Sequence, residues 1–496
     1  MSTNKNTAHI HSDKEAVADK VISGTTKTEQ KVNGHAIVID GTIVEPRIGL
    51  DCINLLNYPL NDLGNAQRFV AAHGQEARYC HLLESWMVWD GVQWLADRAD
   101  LARELAQATV TECLRQANCT GDKSAKLMAT FQNTGRITNL LREAQPHLTI
   151  HPDQLDTAKH LLNFRNGTLN LRTLELRPHS PADFITKSVK HEFRLDAECP
   201  RFLQFLAEIL PGLEKHMQTA IGYSLTGETI QKAVFVCHGT GDNGKTTLLS
   251  TVRELLGDDY AIVIQIESLL TKQENNNSQA DLADLRGARF VMTSETEENR
   301  ELAESRLKRI TQGMGKIKAV RKYENPIQFY ETHKLWIDGN HKPIVRGTDN
   351  AIWNRLHLVP FNRSLTKEEI DRDLPHKLAE EAEGIFAWAA LGAVRWYLQG
   401  LDRPEIVETA RAQWRSDSDI IQHFVEQRCR IAPGFKHPAH DLFLNYIEWA
   451  EAARDRIMNE SAFKEAMRKK GYEQTRSKKC LNYQGVCANR PPIVEA

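Results

Sequence analysis

The stretch AVFVCHGTGDNGKTTLL, residues 233–249, decides the fold. An apolar run ends in glycines, a lysine and two threonines follow, and a leucine-rich run comes next, so strand, loop and helix succeed one another directly. Gly239, Thr240, Gly241, Asp242, Asn243, Gly244, Lys245 and Thr246 match G-x-x-x-x-G-K-[ST] in full, with Thr247 adjoining. The glycines let backbone N–H groups approach phosphate oxygens, the following helix directs its positive end at them, and Lys245 reaches the terminal phosphates. Thr246 is the expected ligand of a magnesium ion. The bland alternative is a glycine-rich turn with a chance lysine, and the flanking strand and helix argue against it.

Outward from this loop, short apolar runs alternate with helical stretches from Ala233 to Phe361, which predicts a mostly parallel sheet covered by helices. Strands are expected at 233–237, 261–264, 289–293, 335–337 and 356–359. Hydrolysis at such a loop needs a carboxylate at the end of a neighbouring strand, to hold the metal and polarise water. RFVMTSETE (289–297) offers Glu295 as first choice, while Glu297 is either a helper or the start of an acidic helix. LWIDGNHKP (335–343) places Asn340 at another strand end, suited to setting an amide beside the γ-phosphate; asparagine is also common in turns, and the order of motifs favours the first role. Arg355, before the last strand, is either a surface charge or a group inserted into a neighbour's site, and sequence order does not separate the two.

Between the acidic strand and the Asn340 strand lies GMGKIKAVRKYENPIQF (313–329). Its alternation predicts a hairpin. Lys316, Lys318, Arg321 and Lys322 fall close together beside Tyr323 with no carboxylate among them, which suits phosphate contact and base stacking; a solvated hairpin is the rival.

The flanks are plainer. Residues 1–60 are polar and read as a disordered tail. Residues 61–195 read as an α+β domain with a hairpin at Asp90-Gly91, within WMVWDGVQW, and another turning at Asn166-Gly167. Residues 196–230 read as a helical collar: Pro200 opens a helix carrying Phe202, Phe205, Leu206 and Ile209 at helical spacing, and a second helix ends near Leu225. The ATPase core spans 231–402, and a smaller unit, 410–496, has helices near 418–428, 439–454 and 460–470. Lys464, Arg468, Lys469, Lys470, Arg476, Lys478 and Lys479 give it a basic face, read as a nucleic-acid surface with a solvated helix face as the alternative.

Net charge is −2, so any nucleic-acid surface must be a local patch. Nine cysteines without a C-x-x-C pair argue against a zinc ribbon or disulfide framework and for a reducing compartment. Neither a signal peptide nor an apolar run of about 18 residues is present, so no membrane is expected and the default location is cytoplasmic, in a bacterial cell or encoded by a prophage or plasmid.

Together these motifs resemble the phage and plasmid primase/helicase family, whose motor is a superfamily 3 helicase. The resemblance covers nearly everything after Asn61. It rests on DLGNAQR (62–68), residues 86–94, Asn166-Gly167 with LRPH (176–179), GTGDNGKTT (239–247), SETE (294–297), LKRITQGMGKIKAVRKY (307–323), LWIDGNHKP (335–343) and TDNAIWNRL (348–356), in order. It implies a multidomain α/β protein: an AAA-like P-loop ATPase core, an N-terminal α+β domain and a C-terminal winged helix. It also implies ATP and Mg²⁺ between subunits of a homo-oligomeric, hexameric ring. Arg355 then becomes a finger acting in trans, and Lys322 with Tyr323 the tip of a DNA-tracking hairpin. Asn354 departs from the family's double arginine and leaves one cation there. The N-terminal tail has no room for a primase module, so priming would need a separate polypeptide.

The expected activity is therefore ATP-dependent unwinding of single-stranded or forked DNA during replication of a phage, plasmid or integrated element. A GTPase should carry N-K-x-D, and Asn340-His-Lys-Pro fails that pattern. A small-molecule kinase leaves the basic hairpin unexplained. An ATP-switched initiator or helicase loader without unwinding would show the same motifs.

Overall fold

The computed structural model describes residues 37–39, 42–44, 50, 53–120, 125–270, 282–295, 300–320, 326–347, 349–453, 457–476 and 480–489. A short antiparallel pair, β1 (Ile37–Ile39) and β2 (Thr42–Val44), falls within the expected tail. Residues 53–60, assigned by composition to that tail, are built into the fold. Leu55 is fully buried, and the buried Arg68 guanidinium donates to the carbonyls of Leu55 and Pro59, each at 2.8 Å, and to that of Tyr58. A distant arginine collecting three carbonyls leaves no local signal in the segment it orders.

Asn61 caps α1 (Asp62–His73) by accepting from the Gly64 amide at 2.8 Å. Next comes a meander of β3 (Ala77–Cys80), β4 (Ser85–Trp89) and β5 (Trp94–Ala96). Trp89 pairs with Trp94, and in the turn between them Asp90 Oδ1 accepts from the amides of Val92 and Gln93, each at 2.7 Å. Helices α2 (Leu101–Cys119), α3 (Ala125–Thr130) and α4 (Thr134–Ala144) pack into one apolar cluster with Leu55 and Phe69. A second meander, β6 (Leu161–Phe164), β7 (Gly167–Asn170) and β8 (Glu175–Arg177), follows. Its first turn is Arg165-Asn166, one residue earlier than expected, because Phe164 pairs with Gly167. Asn166 is held there by two bonds to the Phe193 backbone, at 3.0 and 2.9 Å.

Pro200 opens α5 (Pro200–Ile209), and α6 (Glu214–Leu225) follows. Phe202, Phe205, Leu206 and Ile209 are all buried, as their spacing predicts. The central sheet comprises β9 (Val234–His238), β10 (Ala261–Val263) and β11 (Phe290–Glu295), then, past the antiparallel hairpin β12 (Lys316–Ala319) and β13 (Ile327–Tyr330), β14 (Lys334–Gly339) and β15 (Leu356–Pro360). All five central strands are parallel, in the order β10-β11-β14-β9-β15. Alternate side chains serve two cores: Phe235, Cys237, Phe290 and Trp336 face one, and Val234, Val236, Val291 and Ile337 the other. Burial on both faces explains why these strands read as continuous apolar runs. Trp336 lies between Phe235 and Phe290, with ring centroids 4.1 and 5.4 Å away.

One core also takes in Leu162, Phe164 and Leu169 from the second meander. It holds Phe386, Trp388 and Trp396 from α11 (Ala382–Gln399), which follows α10 (Leu374–Glu380). The opposite core holds Leu307 and Ile310 of α8 (Glu304–Ile310), Trp353 of α9 (Asn350–Trp353) and Trp414 of α12 (Glu405–Asp417). Last comes an α-β-α-α-β-β unit with its own core: α13 (Ile420–Arg428), β16 (Cys429–Pro438), α14 (Ala439–Ala452), α15 (Glu460–Lys469), β17 (Gln474–Arg476) and β18 (Leu481–Ala488). The molecule is thus multidomain α/β around a parallel five-stranded sheet. Among the described residues no helix is long and apolar enough to cross a membrane.

Candidate phosphate-binding site

Parallel strands present all their C-terminal ends along one edge, where ligands of such sheets bind. The loop 239–244 leaves β9 at that edge and runs into α7 (Lys245–Tyr260). Gly241, Asp242 and Gly244 adopt φ of 105°, 47° and 77°, the left-handed region glycine tolerates best. A Cβ on Gly239 would lie 2.2 Å from Asn243 Nδ2 and 2.4 Å from the Phe361 carbonyl oxygen, so only glycine fits. Thr240 stands at the exposed crest, while Asn243 is buried beneath it.

Helix α7 begins at Lys245 with no side-chain cap and no acidic residue in its first turn. Its first amides are available to an anion. Lys245 is only 3% exposed, and its Nζ donates to three neutral oxygens: Gly239 O at 2.9 Å, Asn243 Oδ1 at 2.9 Å and Asn340 Oδ1 at 3.2 Å. Burial lowers its pKa, partly offset by Asp338. A buried ammonium without a carboxylate bond is the group a phosphate would stabilise. Thr246 Oγ1 donates to Asp338 Oδ2 at 2.6 Å, a pair of hard oxygen donors of the kind Mg²⁺ prefers. These residues fit a nucleoside triphosphate with its magnesium. Thr247 turns into the helix, its carbonyl accepting from the Thr251 hydroxyl at 2.8 Å.

The structure thus brings Lys245, Thr246 and Asn340 together. Glu295 ends β11 at the same edge, but β14 separates it from the loop strand, and its register partner is Gly339. The strand adjoining β9 contributes Asp338 instead, which sequence reading passed over. The signal was present: Asp338 ends the apolar run LWI two residues before Asn340.

Arg355 lies at the other end of the sheet. Its carbonyl accepts from the Val234 amide at 2.8 Å, where β9 begins, and five strand residues at about 3.3 Å each put it roughly 16 Å from the loop. Its guanidinium donates to the carbonyls of Thr311, at 3.4 Å, and Ala351. Within one chain it does not join Lys245.

The expected basic hairpin is β12–β13, with Ile317 and Ala319 buried and Lys316 and Lys318 exposed. Lys316 lies 4.7 Å over the Tyr330 ring and 3.4 Å from Asp153, a carboxylate remote in sequence. Arg321, Lys322 and Tyr323, together with Glu297, lie outside the described residues. In the C-terminal unit, Arg468 pairs with Glu465 at 2.9 Å and Lys470 with Asp419. Lys464, Lys469 and Arg476 remain exposed there, and Lys478 and Lys479 lie outside the described residues.

Residues 66–211 match the D5 N-terminal-like family, and residues 237–355 match a family of unknown function. The chain is 25% identical over 321 residues to the helicase candidate L207/L206 of Acanthamoeba polyphaga mimivirus, covering 60% of this chain and 33% of that protein. It is 25% identical over 338 residues to the primase candidate C962R of African swine fever virus, covering 60% of this chain and 34% of that one. The chain spans about a third of the length of these curated relatives. A solved structure of the NrS-1 C-terminal region aligns over 86% of this chain and 99% of its own, at 12% identity and TM-score 0.48. Over these segments the chain is similar to the D5 N-terminal-like family and to viral helicase and primase candidates.

Proposed function

We propose that the protein is an ATP-dependent DNA helicase serving replication of a phage, plasmid or integrated element. The observation that carries this reading is Lys245: buried, bonded to Asn340 across two elements, and set at the uncapped start of α7. The loop amides and Lys245 hold the β- and γ-phosphates of ATP. Thr246 and Asp338, with Glu295, would hold magnesium, which when bound would supply positive charge beside the transferred phosphoryl group. Asn340 orients the attacking water. Arg355, too far from its own loop, stabilises the γ-phosphate of a neighbour in a homo-oligomeric, hexameric ring. Lys316, Lys318, Arg321, Lys322 and Tyr323 contact the DNA. The α-β-α-α-β-β unit has the element order of a winged helix and offers Lys464, Lys469 and Arg476 to the DNA backbone.

Strand displacement from a labelled forked duplex tests this. The unaltered protein unwinds with ATP, Lys245→Ala neither hydrolyses nor unwinds, and Lys322→Ala hydrolyses without unwinding. ATP turnover with no displacement on either fork polarity would replace the helicase with an ATP-switched initiator or loader.

A further inference from the structure

At the sheet edge opposite the glycine-rich loop lies a cavity of about 490 Å³, lined by Lys232, Asn354, Arg355, His357 and Arg403 among others. Its lining carries three cations and no carboxylate. The nearest acids are engaged elsewhere: Asp402 bonds to His216 Nδ1 at 3.2 Å, and Glu408 pairs with Arg411. Arg403 donates to the Asn354 carbonyl and lies 3.4 Å from His357 Nε2. His357 is only 4% exposed, and its Nδ1 has no hydrogen-bond partner in the structure. Lys232 is exposed at the rim, with no polar partner recorded among the described residues. Two guanidiniums and an ammonium facing one space, satisfied only by carbonyls and an imidazole, form a site for a multiply charged anion.

We infer that this cavity receives the terminal phosphates of the nucleotide held by a second copy of the chain, and that Arg403 and Lys232 act there beside Arg355. The inference rests on the ATPase reading above and adds two residues to it. Geometry excludes the chain's own nucleotide, since the length of β9 separates the cavity from the loop. Asn354 contributes its carbonyl, and Arg403, about fifty residues on in the chain and just before α12, brings a second guanidinium beside Arg355. A guanidinium that neutralises transition-state charge acts on turnover more than on nucleotide binding.

The test is ATP turnover by single variants and by their mixtures. Arg403→Ala is expected to lose at least about tenfold in turnover, and Lys232→Ala several-fold, while both bind a fluorescent ATP analogue as the unaltered chain does. Arg403→Lys retains part of the activity. Mixing Lys245→Ala with Arg403→Ala chains, each impaired alone, raises turnover to roughly a quarter of normal, the share of interfaces pairing an intact loop with an intact Arg403. Recovery on mixing also shows that Arg403→Ala folds. Full turnover by Arg403→Ala while Arg355→Ala loses activity and complements on mixing overturns the inference and leaves the ATPase reading standing. So does a loss in Arg403→Ala that mixing never repairs. Undiminished hydrolysis by Lys245→Ala takes down both.

Discussion

The two edges of the central sheet handle charge in opposite ways. At the C-terminal edge one buried cation, Lys245, is held by neutral oxygens and stands beside an uncapped helix start. At the N-terminal edge several charges are buried together and tied to backbone. Arg289 donates to the Leu225 and Leu161 carbonyls at 2.6 Å each, and Lys334 to those of Glu228 at 3.0 Å, Thr332 at 3.3 Å, and Thr226. The first edge leaves a charge unneutralised; the second uses charge to bind α6 and the second meander to the sheet. One strand, β14, joins them, with Lys334 at its beginning and Asp338 at its end. Buried charge at Lys245 therefore argues for ligand binding and at Arg289 and Lys334 for architecture, and replacing each lysine tells the two apart.

The largest effect belongs to Lys245→Ala. Turnover should fall at least about a hundredfold, because a preorganised cation at the phosphates is lost. Stability should change little, since relief of the ammonium's burial cost offsets the loss of its bonds to Gly239, Asn243 and Asn340. Steady-state ATPase assays beside thermal melts read both quantities. A large drop in melting temperature would mean that Lys245 is architectural, and the contrast between the edges would collapse.

Lys334→Ala should invert this pattern. It leaves the Thr226 and Glu228 carbonyls buried with one donor fewer, at a cost of about 2–4 kcal/mol. Urea unfolding should show that loss, while turnover per folded molecule changes little. If turnover collapses in protein that unfolds normally, β14 transmits more than packing, and the two edges are mechanically coupled.

Much of this was legible before the fold was known. The five strands announced themselves as apolar runs because both sheet faces are buried, and α5 by its spacing of Phe202, Phe205, Leu206 and Ile209. Period-two alternation at Lys316, Lys318 and Val320 marked the hairpin because only one face of it is covered. Strand order was not legible. Alternation gives the succession of strands but not that β14 inserts between β9 and β11, so Asp338 was overlooked and Glu295 was placed a strand too near. Arg403 was invisible for a related reason: it reaches Asn354 only once α12 packs on β15. The turn at Arg165-Asn166 was misplaced by one residue because the Phe193 backbone that fixes it is distant in sequence.

The finest probe of the architectural edge is Glu331, which follows the hairpin directly and accepts from the Gly313 amide at 3.0 Å, bracing the hairpin's two roots. Glu331 is 3% exposed, and burial pushes its carboxyl up from an ordinary 4.5 to about 8, against the opposing pull of the Gly313 amide and Lys334. The folded chain therefore binds this proton more tightly than the unfolded chain. Its stabilising contribution is full below pH 4.5 and is lost progressively as pH rises to about 8, beyond which it stays flat. Glu331→Gln keeps an acceptor for Gly313 and cannot ionise. It should match the unaltered protein near pH 5 and melt at least about 2 °C higher at pH 8, a difference thermal melts across that range would resolve. Parallel melting curves for the two proteins would mean that Glu331 stays ionised against Lys334. The architectural edge would then be held by a buried ion pair, and its contrast with the unpaired Lys245 would be sharper still.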